Sequence, residues 1–141
     1  AQNSCGCKDG EQLRASIGMF FNSGRLDSAE FYIKKFLTFK ENGCKINFNG
    51  AMAQVALAKK DFISARIFLE TEKNLLKQNT CSQGLYVRHY STLAKLYQEL
   101  NLLDSVVITC LKGIEAAQTA NDNYGLSRAN ADLAAVSNGA I

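Results

Sequence analysis

The stretch Tyr90–Gly113, YSTLAKLYQELNLLDSVVITCLKG, decides the fold. Tyr90, Leu93, Ala94, Tyr97 and Leu100 recur at helical spacing, the pattern breaks at Asn101, and it resumes as Leu103, Val106, Val107, Cys110, Leu111 and Ile114. This order predicts two amphipathic helices joined by a tight turn. The short side chains of Ala94 and Val106 fall where the two apolar stripes cross, so the helices can approach closely as an antiparallel hairpin. One hairpin cannot cover both of its own stripes, and neighbours of the same kind are required.

Such neighbours lie on both sides. Upstream, ASIGMFFNSGRLDSAEFYIKKF places Ile17 and Phe20 before a turn at Gly24-Arg25 and Leu26, Ala29, Ile33 and Phe36 after it; Asp27, with Glu30 three residues on, reads as an N-terminal cap. A second copy runs from Ala51 to Leu76, with Met52, Ala53 and Ala56 before Lys59-Lys60-Asp61, and Phe62, Ala65, Leu69 and Leu76 after. Ala29, Ala65 and Val106 mark equivalent places about 36 and 41 residues apart. A last, partial copy occupies residues 125–141, where Leu133 and Ala134 match Leu93 and Ala94. Its helix is expected to leave an apolar face uncovered, which favours a natural chain continuing past Ile141.

These residues resemble the tetratricopeptide repeat, in which a leucine and a small residue precede an aromatic, a turn, another aromatic, an alanine and further apolar positions. Leu93, Ala94, Tyr97, Leu103 and Val106 carry the likeness in one copy, and Ala53, Ala56, Phe62, Ala65 and Leu69 in another. It covers nearly everything from Glu11 onward. The tryptophan near the start, most first-helix glycines and the closing proline of that pattern are missing, and the longer intervals are similar to arrays in bacterial sensor and regulatory proteins. The expected fold is all-α: a right-handed superhelical array of three antiparallel hairpins plus one further helix, with helices near 11–23, 26–41, 47–59, 62–78, 84–100, 104–120 and 123–138. Residues 1–10 form an N-terminal arm, and 11–141 form one repeat domain.

Composition agrees. The 141 residues are 47% apolar and 21% charged, enough for a real core. Proline is absent, and glycine falls at predicted helix ends, as in Asn42-Gly43 and Asn49-Gly50. No apolar run approaches the roughly 18 residues that would cross a bilayer. A net charge of +3 is too small to argue for nucleic acid or an anionic membrane. The opening Ala1-Gln2-Asn3, a small residue before a polar stretch, fits what signal peptidase leaves behind.

Five cysteines are the sharpest feature. Cys5 and Cys7 lie in the arm, while Cys44 and Cys81 occupy equivalent turns between hairpins. Turns of that kind emerge at one end of a helical stack, where the arm also starts. In an oxidising compartment, two disulfides are expected among Cys5, Cys7, Cys44 and Cys81. Geometry disfavours a Cys5–Cys7 bridge, which leaves the arm paired to the two turns. Cys110 belongs to an apolar stripe and reads as a small core residue. Free thiols in a cytosolic protein and a four-cysteine zinc site are the alternatives, the latter weakened by its C-x-C half.

Nothing in the pattern calls for catalysis or a cofactor. The lone histidine, His89, reads as a partly exposed helical residue with no thiol beside it in sequence, and Asp61, Glu70 and Glu72 read as carboxylates at helix starts and on exposed faces. Phosphate loops, dinucleotide fingerprints and serine elbows are absent from the sequence. What remains is a polar stripe: Arg88, Ser91, Lys95 and Gln98 stand at i, i+3, i+7 and i+10. The resemblance implies that this face of each first helix lines a concave groove, which Arg14 and Asn22, Asn47 and Gln54, and Arg128 and Asn138 would extend. Its basic groups suit an acidic or carboxylate-ended segment. The chaperone-binding clamp of the family is not matched, since Arg14, Gly18, Ala51, Arg88 and Thr92 stand at its places.

The expectation is therefore a non-catalytic module for a protein or peptide ligand, as in the exported sensory portion of a bacterial membrane-bound signalling protein, periplasmic or secreted. A cytosolic peptide-sensing or scaffold array is the nearer alternative, and a thiol or zinc enzyme the alternative of another class.

Overall fold

The computed structural model describes residues 5–137. Among them the chain is all-helical, with seven α-helices and no strand. By its contacts it divides into two compact units, Ala1–Cys81 and Ser82–Ile141. The first holds α1 (Leu13–Asn22), α2 (Leu26–Ile33), a 3-10 segment (Lys34–Thr38), α3 (Asn42–Ala58) and α4 (Phe62–Gln78). The second holds α5 (Gln83–Glu99), α6 (Leu103–Ala120) and α7 (Asn123–Ser137).

One local device makes all five turns that end α1, α3, α4, α5 and α6. Each places a residue in the left-handed region just past the helix: Gly24, Lys60, Thr80, Asn101 and Asn121, with φ between 50° and 76°. The next residue's N–H then donates back to the carbonyl five positions earlier: Arg25 to Phe20, Asp61 to Ala56, Cys81 to Leu76, Leu102 to Tyr97 and Asp122 to Ala117. This closure satisfies carbonyls that the ending helix leaves bare. Only Gly24, Asn101 and Asn121 suit that conformation by residue type; Lys60 and Thr80 adopt it because helices follow immediately on both sides. Entry to the next helix is fixed by short polar side chains in two cases. Asp61 accepts from Ser64 N–H at 3.1 Å and Asp122 from Gly125 N–H at 2.8 Å, standard N-cap bonds.

Asp27 and Glu30 do otherwise. Arg25 precedes α2 with no side-chain cap, and Asp27 and Glu30 instead hold Lys59 Nζ at 3.4 and 3.2 Å across the hairpins of the first unit. The Lys59 hydrogen bond holds the Glu30 carboxyl below its ordinary range. A carboxyl depressed in the folded state contributes stability above its unfolded pKa of 4.5 and loses it as pH falls through the lower folded value. Lys59→Met is therefore expected to flatten the acid side of stability below about pH 4.5, read as urea midpoints against pH, with a small effect at pH 7.

The core of the first unit joins Ile33 of α2, Phe36 of the 3-10 segment, Cys7 of the arm, and Cys44, Met52 and Val55 of α3, with Leu13, Ile17 and Phe20 of α1 packed against it. Tightening from α-helix to 3-10 after Ile33 corrects the single helix expected over 26–41. At three residues per turn, Phe36 comes directly over Ile33, and both face inward. The Thr38 hydroxyl then donates to Lys35 O at 2.7 Å, and Phe39 turns extended. In the second unit Ala94, Val106 and Cys110 share one cluster with Tyr97, Leu133 and Val136, so the hairpin does cross at its two short residues. The markers Ala29, Ala65 and Val106 are all fully buried. α7 packs on α6 through Leu126, Leu133 and Val136, leaving Tyr124 as its large exposed apolar side chain among the described residues.

Two Asn-Gly pairs expected at helix ends prove to be helical. α3 begins at Asn42, five residues before the expected start, and Asn49-Gly50 lies in its middle. Gly43 is there because a side chain would strike the backbone carbonyls of Cys5 and Gly6; Gly50 lies beneath the Glu72 carboxylate. Both glycines permit close approach rather than a turn. Gly43→Ala is expected to cost about 1–3 kcal/mol by overpacking, because backbone cannot rotate away as a side chain can. Denaturant unfolding measures the loss, and limited proteolysis near Lys8 should quicken with it.

Candidate functional site

The arm is fastened to the first unit at two points. Cys5 bonds Cys81, with Cα atoms 5.9 Å apart, and Cys7 bonds Cys44, with Cα atoms 4.7 Å apart. Cys44 sits in the first turn of α3 rather than in a loop, because the helix starts early enough to bring the thiol under the arm. Asn42 Nδ2 donates to Asn79 Oδ1 at 3.1 Å, tying the start of α3 to the end of α4 beside Cys81. Cys110 is the free cysteine and is 3% exposed; burial, and to a lesser extent Asp132, push its thiol up to about 11. At neutral pH it is protonated and inert.

The polar stripe falls as follows. Arg88 and Lys95 of α5 are exposed, and Ser91 and Gln98 between and beyond them are half-buried, so these four share one flank of α5. Asn47 and Gln54, seven residues apart on α3, are both half-buried on one face. Arg14 and Asn22 are exposed near the two ends of α1, which packs on α2. Arg128 is exposed on α7, its guanidinium 5.8 Å from the Tyr124 ring centre; Asn138 lies outside the described residues. The structure thus groups the stripe residues within α5 and within α3.

Two polar residues read as surface groups are interior. His89 is 1% exposed, its ring in a T-shaped contact with that of Tyr90 at 5.5 Å between centroids. It shares a flank of α5 with Thr92 and Leu96, also buried, so the inward arc of this helix is wider than the stripe through Tyr90, Ala94 and Tyr97. Glu72 is 4% exposed against Gly50 of α3. The signal was available: Ala65, Leu69, Glu72 and Leu76 follow one another at spacings of four, three and four, which puts the carboxylate in the apolar row. Asn49, 8% exposed on α3, donates its side-chain N–H to Lys45 O at 2.8 Å.

A second grouping escaped sequence reasoning. Cys7 Sγ, Cys44 Sγ and a Glu41 carboxylate oxygen all lie within 4.8 Å of one another. Glu41 immediately precedes α3 and accepts from the arm's Asp9 N–H at 3.1 Å, so the arm's own backbone orients the carboxylate. Comparison with family models, with curated proteins and with solved structures gives no match to this chain.

Proposed function

We propose that the chain is a non-catalytic helical-repeat module of the tetratricopeptide type, a right-handed superhelical array that recognises an acidic or carboxylate-ended peptide segment of a partner protein. The observation that carries this reading is the α5 flank, where Arg88 and Lys95 stand exposed two helical turns apart. Two cations at that separation suit a chain with carboxylates about 10 Å apart, the rise of seven helical residues. Recurrence of one turn closure along the chain supports the repeat reading. The two disulfides support an oxidising compartment, and with it the exported sensory portion of a bacterial membrane-bound signalling protein.

The test is a panel of acidic peptides, each with a free or amidated carboxyl terminus, titrated by fluorescence anisotropy. Charge reversal of both groups, Arg88→Glu with Lys95→Glu, is expected to weaken the best binder by about 2 kcal/mol or more, roughly thirtyfold. Unfolding free energy should move by less than about 0.5 kcal/mol, as for ordinary surface substitutions. Unchanged affinity in this variant would move the site off α5, and failure of the whole panel would remove the acidic-ligand reading.

A further inference from the structure

In the Cys7, Cys44 and Glu41 cluster a carboxylate lies against the bridge. Glu41 Oε1 stands 3.9 Å from Cys44 Sγ. A disulfide sulfur has no proton to offer, and an ionised carboxylate only accepts, so this is no hydrogen bond in the bridged form. It places an oxygen ligand beside two sulfur ligands, half-buried above two buried sulfurs. The three atoms come from two separate segments, held together by the Asp9 N–H bond to Glu41 and by the glycine contact of Gly43 with the arm backbone.

We propose that, once the Cys7–Cys44 bond is reduced, Cys7, Cys44 and Glu41 bind one thiophilic divalent cation such as Zn²⁺, with the fourth position left to water or an external ligand. A dithiol reductant supplies two electrons and two protons and ends as its own disulfide; the S–S bond becomes two thiols. The cation then displaces both thiol protons to solvent. Tetrahedral zinc with sulfurs at about 2.3 Å sets them about 3.8 Å apart, so reduction has to let the two bonded sulfurs separate, and the Glu41 oxygen already lies within 4.8 Å of both. Two thiolates and a carboxylate repel one another without the metal, and the cation removes that repulsion. The oxidised bridge excludes the ion, so the site is gated by thiol redox state and differs from a four-cysteine site in using neither Cys5 nor Cys81.

Fully reduced protein, titrated anaerobically with CoCl₂ and then competed with ZnCl₂ while helicity is followed by circular dichroism, tests this, because loss of both bridges removes much of the stability and the ion has to be bound by a folded chain. One Co²⁺ per chain is expected, with thiolate-to-cobalt charge-transfer absorption, and none for the oxidised protein. Glu41→Gln should weaken Zn²⁺ binding at least tenfold, while Cys5→Ser with Cys81→Ser keeps the one-to-one stoichiometry. Absence of the charge-transfer band, equal affinity in Glu41→Gln, or no binding by the double serine variant would each overturn the proposal, the last in favour of a four-cysteine site. None of these outcomes bears on peptide binding by α5.

Discussion

Removing both disulfides is expected to lower stability by about 4 kcal/mol per bridge, the largest single effect available in this chain. In the chain-entropy account a cross-link acts on the unfolded ensemble, and its effect grows slowly with the loop closed. Sequence separations of 37 for Cys7–Cys44 and 76 for Cys5–Cys81 give about 3.8 and about 4.5 kcal/mol. Against a total stability of roughly 5–15 kcal/mol, loss of either bridge lowers Tm by more than about 10 °C. Order of loss follows access: Cys5 and Cys81 are half-buried, whereas Cys7 and Cys44 are 6% and 0% exposed. Mild dithiol should therefore open Cys5–Cys81 first, seen by alkylation and mass spectrometry as two labels at those residues. Denatured but unreduced protein should yield one thiol, Cys110. Five thiols would show that the bridges do not form in the protein as made.

Phe36→Ala should cost about 3–5 kcal/mol, the range for deleting a buried aromatic. The ring is 2% exposed and belongs to the same cluster as Cys7. It also fills the space at Gly10, where an added Cβ would come within 2.7 Å of both the ring and Cys7 Sγ. Its removal therefore opens a cavity between the 3-10 segment and the arm, and the effect should extend past stability. The arm should become cleavable after Lys8 while both disulfides remain closed, and Cys7–Cys44 should be reduced faster. Phe36→Leu, which keeps most of the volume, should recover much of the loss in denaturant unfolding and restore protection of the arm. A cost below about 1 kcal/mol for Phe36→Ala would mean that the arm packs without this ring.

Helix number and hairpin order were legible because apolar period and turn breaks are local signals. Three markers, Ala29, Ala65 and Val106, were legible as crossing points because only short side chains fit there. Contact-making glycines were not legible. Asn-Gly carries the same local signature whether it ends a helix or lets another backbone lie on it, and Gly43 does the second because of residues 37 positions away. Glu72 defeats a reading by residue type, which ranks its charge above its position in the stripe. On the polar flank of α5 the spacing within one helix suffices. Adjacency between α1 and α3 residues depends on packing angles that no single helix encodes. Glu41 is hidden in the sequence for the same reason: it neighbours Cys44 in sequence but Cys7 only in the fold.

The Cys5–Cys81 bond spans nearly the whole first unit, and that arrangement has a mechanical meaning. Force applied to the two flanks of the chain passes from Cys5 directly to Cys81 through the sulfur bridge and bypasses the residues between. However hard the chain is pulled, the first unit contributes almost no added length, and its helices carry no load. Only the second unit, Ser82–Ile141, can pay out, adding on the order of 200 Å of extended contour. Opening that one bond would release residues 45–81 as well, on the order of 125 Å more, while Cys7–Cys44 still short-circuits the residues between them.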